Sequence, residues 1–194
     1  AEACLRIGAA TNRVCEGELT QIHHRGNLDL TEAEYLDILD GKTAELTAIS
    51  AELGGRYAGA DDTVVAGLRD YGRCLGIAFQ IADDLLDLLG DESETGKTLG
   101  TDLRGQKLTL PIIRLLSRTP EPDRSELRDR LTEVDDSTVS YLLPKLRESD
   151  ALEYTHGRAM SYIAEAKAAL SVLPESPART LLETLAEFTI RRER

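Results

Sequence analysis

The protein has 194 residues and a formal net charge of −12 at pH 7. A surface this acidic argues against nucleic acid or an anionic membrane as a general partner. No apolar run approaches the ~20 residues of a membrane-spanning helix, and charged residues interrupt the stretch in which a signal peptide needs an apolar core. The three cysteines are an odd number without metal-ligand spacing, which is typical of a reduced chain and predicts a cytoplasmic protein.

The composition predicts one domain that is built from helices. Leu, Ala, Glu and Arg are plentiful whereas Val and Ile are few, and this mixture favours helix over strand. The opening segment AEACLRIGAATNRVCEGELTQI already follows a helical apolar pattern, with Ile7, Val14 and Leu19 among the residues close to one stripe. It starts without a cap, which suggests a domain that is truncated at its N-terminus.

Turn and cap signals define the next helix. The first helix is predicted to end near Gly26, and Thr31 opens a second one because Thr-x-x-Glu forms a capping box. We expect this second helix to run to about Leu53 and to stop at Gly54 and Gly55, since glycine commonly ends a helix.

A third helix, over about residues 62–89, is unusually long and would cross the whole domain. Residues 91–107 are predicted to form a polar loop, and the next helix tolerates Pro111 only in its first turn. Asp61 and Asp135 precede predicted helix starts, and we interpret both as N-caps. Shorter amphipathic helices are predicted at about 123–132, 136–148, 150–172 and 176–191.

Three aspartates crowd the end of the long helix. Asp83 and Asp87 lie about 40° apart around the helix axis, with Asp84 on the same side. Acids near a helix C-terminus, and like charges four residues apart, are each unfavourable, so this arrangement needs a compensating cation. The alternative interpretation is a solvated acidic face, which is ordinary for such a pattern on a surface helix.

The same stripe continues away from the acids through small and neutral residues. Gln80 precedes the aspartates, and Gly72 and Gly76 extend the stripe by two more turns. These small residues predict an open groove whose floor is anionic. We expect the leucines on the remaining faces to be buried, namely Leu85, Leu86, Leu88 and Leu89.

The loop after the helix offers cations to the same site. It contains Lys97 and Lys107, and Gly96, Gly100 and Gly105 let the backbone come close to a ligand. Mg²⁺ takes oxygen ligands and usually bridges one or two carboxylates to substrate phosphates, while a lysine acts on phosphate oxygens as a point charge. Acids and lysines together predict a site for Mg²⁺ and a diphosphate.

The segment FQIADDLLDLLGDESETGKTLGTDLRGQKLTLP, residues 79–111, resembles the second aspartate-rich region of the trans-polyprenyl diphosphate synthases. The family pattern is Phe-Gln-x-x-Asp-Asp-x-x-Asp, then Gly-Lys-x-x-Gly-x-Asp-Leu, then a Lys followed by Thr-x-Pro. CEGELTQ resembles the family's Gly-Glu-x-x-Gln segment, and YLDILDGKTAEL resembles its Lys-Thr segment. One small departure is that Gly105 stands before Gln106, where members often have glycine directly before the lysine.

The resemblance implies an all-α fold, an orthogonal helical bundle of the isoprenoid synthase type around a deep cavity. The family's first Asp-Asp-x-x-Asp motif, the two arginines after it and an N-terminal Gly-x-Lys-x-x-Arg segment have no counterpart in this sequence. Residues 1–194 are therefore expected to be the C-terminal portion of a single isoprenoid synthase domain, and this portion alone is expected to be inactive.

Enzymes of this family condense isopentenyl diphosphate with an allylic diphosphate, and the resemblance implies the same reaction, Mg²⁺ as cofactor and a homodimer. The implied roles are Mg²⁺ ligation by Asp83, Asp84 and Asp87; diphosphate contact by Lys42, Lys97 and Lys107; neutral dipoles facing the allylic cation on Thr43 and Gln80; and support near the metals and substrate by Gln21 and Glu18. The expected catalytic residues among them are Lys42, Thr43, Gln80, Asp83, Asp84 and Lys97.

Two other functions stay open at this point. The missing first motif would also fit a non-catalytic partner or regulatory subunit that keeps the diphosphate-binding half. A terpene cyclase is the second alternative, although its second metal motif usually mixes Asn, Ser and Glu. Product chain length does not follow from the sequence, because the residues that set the cavity floor lie mainly beside the missing motif.

Overall fold

Helices form all the regular structure in the described part of the chain. The computed structural model describes residues 1–89 and 100–191, and among these residues no helix is both long and apolar enough to cross a bilayer. In chain order the elements are α1 (Glu2–His23), α2 (Glu32–Leu39), a π-helical turn (Asp40–Ala44), α3 (Glu45–Tyr57), α4 (Asp62–Leu89), α5 (Thr101–Arg104), α6 (Leu110–Arg118), α7 (Asp123–Thr132), α8 (Asp136–Glu148), α9 (Ala151–Ala169), a 3₁₀ turn (Leu170–Val172) and α10 (Pro177–Arg191).

Helix α4 is the long helix that the sequence predicts, and its bounds agree with the prediction. It has 28 residues and packs between α3 and α9. Ile81, Leu85 and Leu88 of this helix are buried, at most 2% exposed. Leu86 is only half-buried and Leu89 is 43% exposed. The expectation that all four leucines are buried is therefore wrong for these two. Each follows a buried leucine by one residue and so lies about 100° away from it around the helix axis.

Caps define helix starts as the sequence predicts. Thr31 and Glu34 form the predicted capping box, in which the Thr31 N–H donates to Glu34 Oε2 at 2.8 Å and the Glu34 N–H donates to Thr31 Oγ1 at 3.3 Å. Asp61 and Asp135 each accept the N–H of the residue three positions later, at 2.9 Å and 2.8 Å. Pro111 lies in the first turn of α6.

The second predicted helix ends later than expected. It passes through the π-helical turn and continues beyond Gly54 and Gly55 to Tyr57, and the chain turns at Gly59, where φ is +82°. A Cβ at Gly55 would lie 2.6 Å from Leu68 Cδ1. The predicted stop is wrong because this glycine serves the close packing of α3 against α4 rather than helix termination.

The glycine stripe on α4 is filled by protein. A Cβ at Gly72 would lie 2.5 Å from the Thr47 carbonyl oxygen, and one at Gly76 would lie 2.6 Å from the Ala44 Cα. The predicted open groove is therefore wrong along these turns, because α3 and the π-helical turn occupy the space. Their close approach places the π-helical turn, with its polar side chains, directly against α4.

A buried glutamate joins three of these helices. Glu52 of α3 is 4% exposed and accepts hydrogen bonds from Arg6 of α1 at 2.5 Å and from Arg69 of α4 at 2.7 Å. Arg69 also donates to both carboxylate oxygens of Glu45, at 2.8 Å and 2.9 Å. We call these four residues the Glu52 cluster, in which two arginines balance two carboxylates.

The outer face of α1 is only partly covered. Ala10 is 2% exposed, whereas Ile7 is 48% and Leu19 is 66% exposed. Ile7 and Leu19 of the predicted apolar stripe are therefore exposed, whereas Ala10 is buried.

Candidate metal and diphosphate site

Asp84 is the centre of the predicted site and is fully buried, with 0% exposure. Its Oδ2 accepts a hydrogen bond from the Tyr35 hydroxyl at 2.7 Å. Its Oδ1 accepts from Gln80 Nε2 at 3.0 Å and from Lys107 Nζ at 2.8 Å. Both carboxylate oxygens are therefore engaged by protein donors.

Charge and burial oppose each other at Asp84. Burial raises the pKa of the Asp84 carboxyl, and the Lys107 ammonium opposes that shift. Burial by itself would lower the pKa of Lys107, but the carboxylates of Asp84 and Asp102 raise it above its usual range. Lys107 therefore keeps its positive charge at neutral pH. Burial also raises the pKa of Tyr35 well above its ordinary value, and the neighbouring Asp84 raises it further.

Lys107 stands between two carboxylates. Its Nζ donates to Asp102 Oδ2 at 2.7 Å in addition to Asp84, and its side chain is 16% exposed. Asp102 is therefore the second partner of Lys107. We call Tyr35, Gln80, Asp84, Asp102 and Lys107 the Asp84 cluster.

The other two aspartates differ from Asp84. Asp83 is exposed, while Asp87 is half-buried and accepts the backbone N–H groups of Thr101 and Asp102 at 3.2 Å and 3.0 Å. Burial raises the pKa of Asp87. The aspartates thus do not share one environment, because the 100° step from Asp83 to Asp84 turns the second carboxylate into the protein.

A second polar group comes from the π-helical turn and α1. Lys42 Nζ donates to Gln21 Oε1 at 2.6 Å and lies 3.1 Å from Glu18 Oε2. Thr43 Oγ1 donates to Gln80 Oε1 at 3.0 Å. Gln80 therefore connects the Lys42–Thr43 segment to the Asp84 cluster, and the predicted neighbours meet although they are far apart in sequence.

The predicted residue Lys97 and the glycine at position 96 lie outside the described residues. Within residues 1–89 and 100–191, no three His, Cys, Asp or Glu side chains are arranged so that they could hold a metal ion by themselves. Mg²⁺ usually needs only one or two protein carboxylates when it also binds a phosphate. Asp83 and Asp87, one helical turn apart, fit that requirement; Asp84 fits it less well, because its oxygens already accept three hydrogen bonds.

Tyr35 is a member of the site to which the sequence assigned no role. It begins the segment YLDILDGKTAEL and lies two helical turns before Lys42. A tyrosine in an apolar helix face needs a hydrogen-bond partner when it is buried. This requirement could have indicated that Tyr35 bonds a polar group inside the protein, but the sequence does not identify that group.

Comparison with known proteins identifies the family and the fold of the chain. The family model described as polyprenyl synthetase matches residues 2–144. The chain belongs to the polyprenyl synthetase family. The predicted all-α isoprenoid synthase fold is confirmed by the match to the polyprenyl synthase of Caulobacter crescentus, whose crystal structure holds calcium and isoprenyl diphosphate. That match has a TM-score of 0.93 and 36% identity, and it covers 100% of this chain and 60% of the other.

Two relatives show the breadth of this polyprenyl synthetase family. The short chain isoprenyl diphosphate synthase of Methanothermobacter thermautotrophicus is 38% identical over 181 residues, which cover 93% of this chain and 56% of that protein. The heptaprenyl diphosphate synthase component 2 of Geobacillus stearothermophilus is 34% identical over 180 residues, which cover 93% of this chain and 56% of that protein. The chain therefore spans a little over half the length of these relatives.

Proposed function

We propose that this chain supplies the second Mg²⁺ and diphosphate site of a prenyltransferase that condenses isopentenyl diphosphate with an allylic diphosphate to extend a trans-polyprenyl diphosphate. The observation that carries the proposal is the continuous polar connection from Thr43 through Gln80 and Asp84 to Lys107, beside Asp83 and Asp87. This connection brings neutral oxygen dipoles and an ammonium group next to carboxylates that could bind a metal ion, all at the end of one helix.

The two ends of this connection suit the two charges that develop in such a reaction, namely negative charge on the departing diphosphate and positive charge on the allylic group. Mg²⁺, when bound, neutralises charge on a departing diphosphate, and Asp83 and Asp87 are its proposed ligands. Lys107 and Lys42 add fixed positive charge for the diphosphate oxygens. Both lysines are already paired with acids or amides, so they are held in place before a ligand arrives.

The other end suits an allylic cation. Thr43 donates its hydroxyl proton to Gln80 Oε1, which leaves oxygen lone pairs on both residues for a nearby positive centre. Neutral oxygens stabilise a cation without competing for the proton that the reaction must release. We assign Thr43 and Gln80 this role, and Gln21 and Glu18 hold Lys42 in position.

The relatives' names also bear on partners and on the alternative functions. Isopentenyl and allylic diphosphates are the proposed substrates, and a homodimer stays a prediction. The name "component 2" of the Geobacillus relative is compatible with the alternative role of a partner subunit. The match to the polyprenyl synthetase model disfavours the other alternative, a terpene cyclase. The assignment of residues 1–194 to the C-terminal portion of one domain also stays a prediction.

A chimera tests the proposal directly. This chain would replace the matching residues of the Methanothermobacter relative, and prenyl transfer would be followed with labelled isopentenyl diphosphate. We expect Mg²⁺-dependent elongation by the chimera and none by the 194-residue chain alone. A folded chimera without elongation would contradict the enzymatic function, and turnover by the chain alone would contradict the need for a first aspartate motif.

A further inference from the structure

Tyr35 reaches the site from α2 and has no role in the proposed reaction so far. It is 2% exposed, and its hydroxyl donates to Asp84 Oδ2 at 2.7 Å. Tyr71 offers a comparison within the same chain, since it is 3% exposed and donates to the backbone carbonyl of Leu182 at 2.9 Å. Both phenols satisfy a buried hydroxyl, but only Tyr35 does so on a carboxylate of the candidate site.

The two oxygens of Asp84 have different partners. Oδ1 faces Gln80 Nε2 and Lys107 Nζ, at 3.0 Å and 2.8 Å, while Oδ2 faces Tyr35. These contacts are compatible with one rotational position of the carboxylate. The Tyr35 hydroxyl bonds the carboxylate oxygen that accepts from neither Gln80 nor Lys107, and a hydrogen bond to a charged group is among the stronger ones in proteins. It therefore opposes rotation of the carboxylate.

The orientation of Asp84 is passed on to Gln80. Because Asp84 accepts from Nε2, the Gln80 Oε1 is turned to Thr43 and accepts its hydroxyl proton at 3.0 Å. A reversed amide would place its oxygen against the carboxylate, which has no proton to donate when ionised. Asp84 therefore decides which end of the Gln80 amide lies beside Thr43.

We propose that Tyr35 is a positioning residue: through Asp84 it fixes the amide of Gln80 and the ammonium group of Lys107 in the arrangement that receives a diphosphate. The diphosphate part rests on the proposed function. The orientation of Gln80 and Lys107 is a property of the ligand-free chain and can be measured without it.

The test compares Tyr35→Phe with Tyr71→Phe, because each removes one buried hydroxyl and keeps the ring. In nitrogen-15 NMR spectra of the ligand-free chain, Tyr35→Phe should shift or broaden the side-chain amide signals of Gln80 and the ammonium signal of Lys107. Tyr71→Phe should leave both unchanged. Calorimetry with Mg²⁺ and inorganic diphosphate should show about tenfold weaker binding for Tyr35→Phe and less than about twofold for Tyr71→Phe.

The other possible results would contradict the proposal in whole or in part. Unchanged Gln80 and Lys107 signals in Tyr35→Phe would overturn the proposal, and so would equal losses of affinity in both variants. Shifted signals with unchanged affinity would overturn the link to diphosphate. If the unmodified chain binds no diphosphate, the proposed function is wrong. The NMR signals of Gln80 and Lys107 in the ligand-free chain would still show whether Tyr35 positions these two residues. Should Tyr35→Phe not fold, a Tyr35 hydroxyl proton in slow exchange in the unmodified chain supports the contact, and rapid exchange overturns it.

Discussion

Two carboxylates among the described residues are buried in different ways, and the difference separates a structural cluster from a candidate ligand site. Glu52 is 4% exposed and Asp84 is 0% exposed. Glu52 accepts from two arginines, so its cluster is balanced within the protein. Within residues 1–89 and 100–191, the one lysine that Asp84 contacts is Lys107, which it shares with Asp102, and Asp83 and Asp87 lie at the same end of the helix.

The surplus of negative charge has a physical consequence. A balanced buried cluster gains nothing from a further ion, and removing one partner chiefly costs stability. An acid-rich cluster at the edge of the protein gains from a divalent cation, because the cation offsets repulsion among the carboxylates. The two clusters should therefore respond in opposite ways to substitution, with loss of stability at one and loss of ligand binding at the other.

The largest effect is expected for Asp83→Ala. Because this carboxylate is exposed and is a proposed Mg²⁺ ligand, its loss should weaken Mg²⁺-dependent diphosphate binding about a hundredfold, and chimera turnover should fall by orders of magnitude. Calorimetry and the prenyl-transfer assay would measure the two effects. The matched control is Asp61→Ala, an N-cap by its hydrogen bond, which should cost ~1 kcal/mol of stability and leave binding alone. Equal behaviour of the two variants would mean that the acidic end of α4 is only a solvated face.

Lys107→Met should reduce both diphosphate binding and the stability of the fold. It removes a proposed diphosphate contact and leaves Asp84 buried without its cation, so binding should weaken about tenfold and unfolding should become easier by about 3 kcal/mol. Adding Asp84→Asn to this variant should recover much of the stability but not the binding. Recovery of both properties would show that Lys107 serves only to neutralise Asp84.

Glu52→Gln should affect stability alone. Arg6 and Arg69 would lose their shared anion, but both side chains are more than a third exposed, at 35% and 37%. Water therefore compensates in part, and we expect a loss of about 2 kcal/mol in urea unfolding, below the cost of breaking a fully buried pair. Diphosphate affinity should change less than about twofold. A larger change in affinity would mean that the two clusters are coupled through α3 and α4.

The smallest effect is expected at the exposed carboxylate of Asp135, and it depends on pH. Hydrogen bonds from Ser137 and Thr138 lower the pKa of Asp135 from 3.8 to about 2. A lowered folded-state pKa means that this carboxylate stabilises the fold above its unfolded-state pKa and loses that contribution as the pH falls through about 2. The melting temperatures of the chain and of Asp135→Ala should therefore differ at pH 6 and converge toward pH 2. A constant difference across this range would contradict the cap as the cause.

Local patterns in the sequence determined much of this protein. Helix α4, the capping box at Thr31 and the N-caps at Asp61 and Asp135 follow from spacing and from cap chemistry, which involve residues within one turn of each other. The motif residues from 79 to 111 also identified the family, because several residue types at fixed spacing are rarely matched by chance. These properties are local, and the sequence contains them directly.

Only the tertiary structure decided how the three aspartates differ. Helix phase places Asp83 and Asp84 100° apart, but it does not say which side a neighbouring helix covers. That side is settled by α2, whose Tyr35 is 49 positions away from Asp84. The same reason explains the glycines of α4 and the late end of α3, since a glycine beside another helix and a glycine beside a ligand look alike in sequence. Burial is a property of two surfaces that meet, and the sequence of one segment describes only one of them.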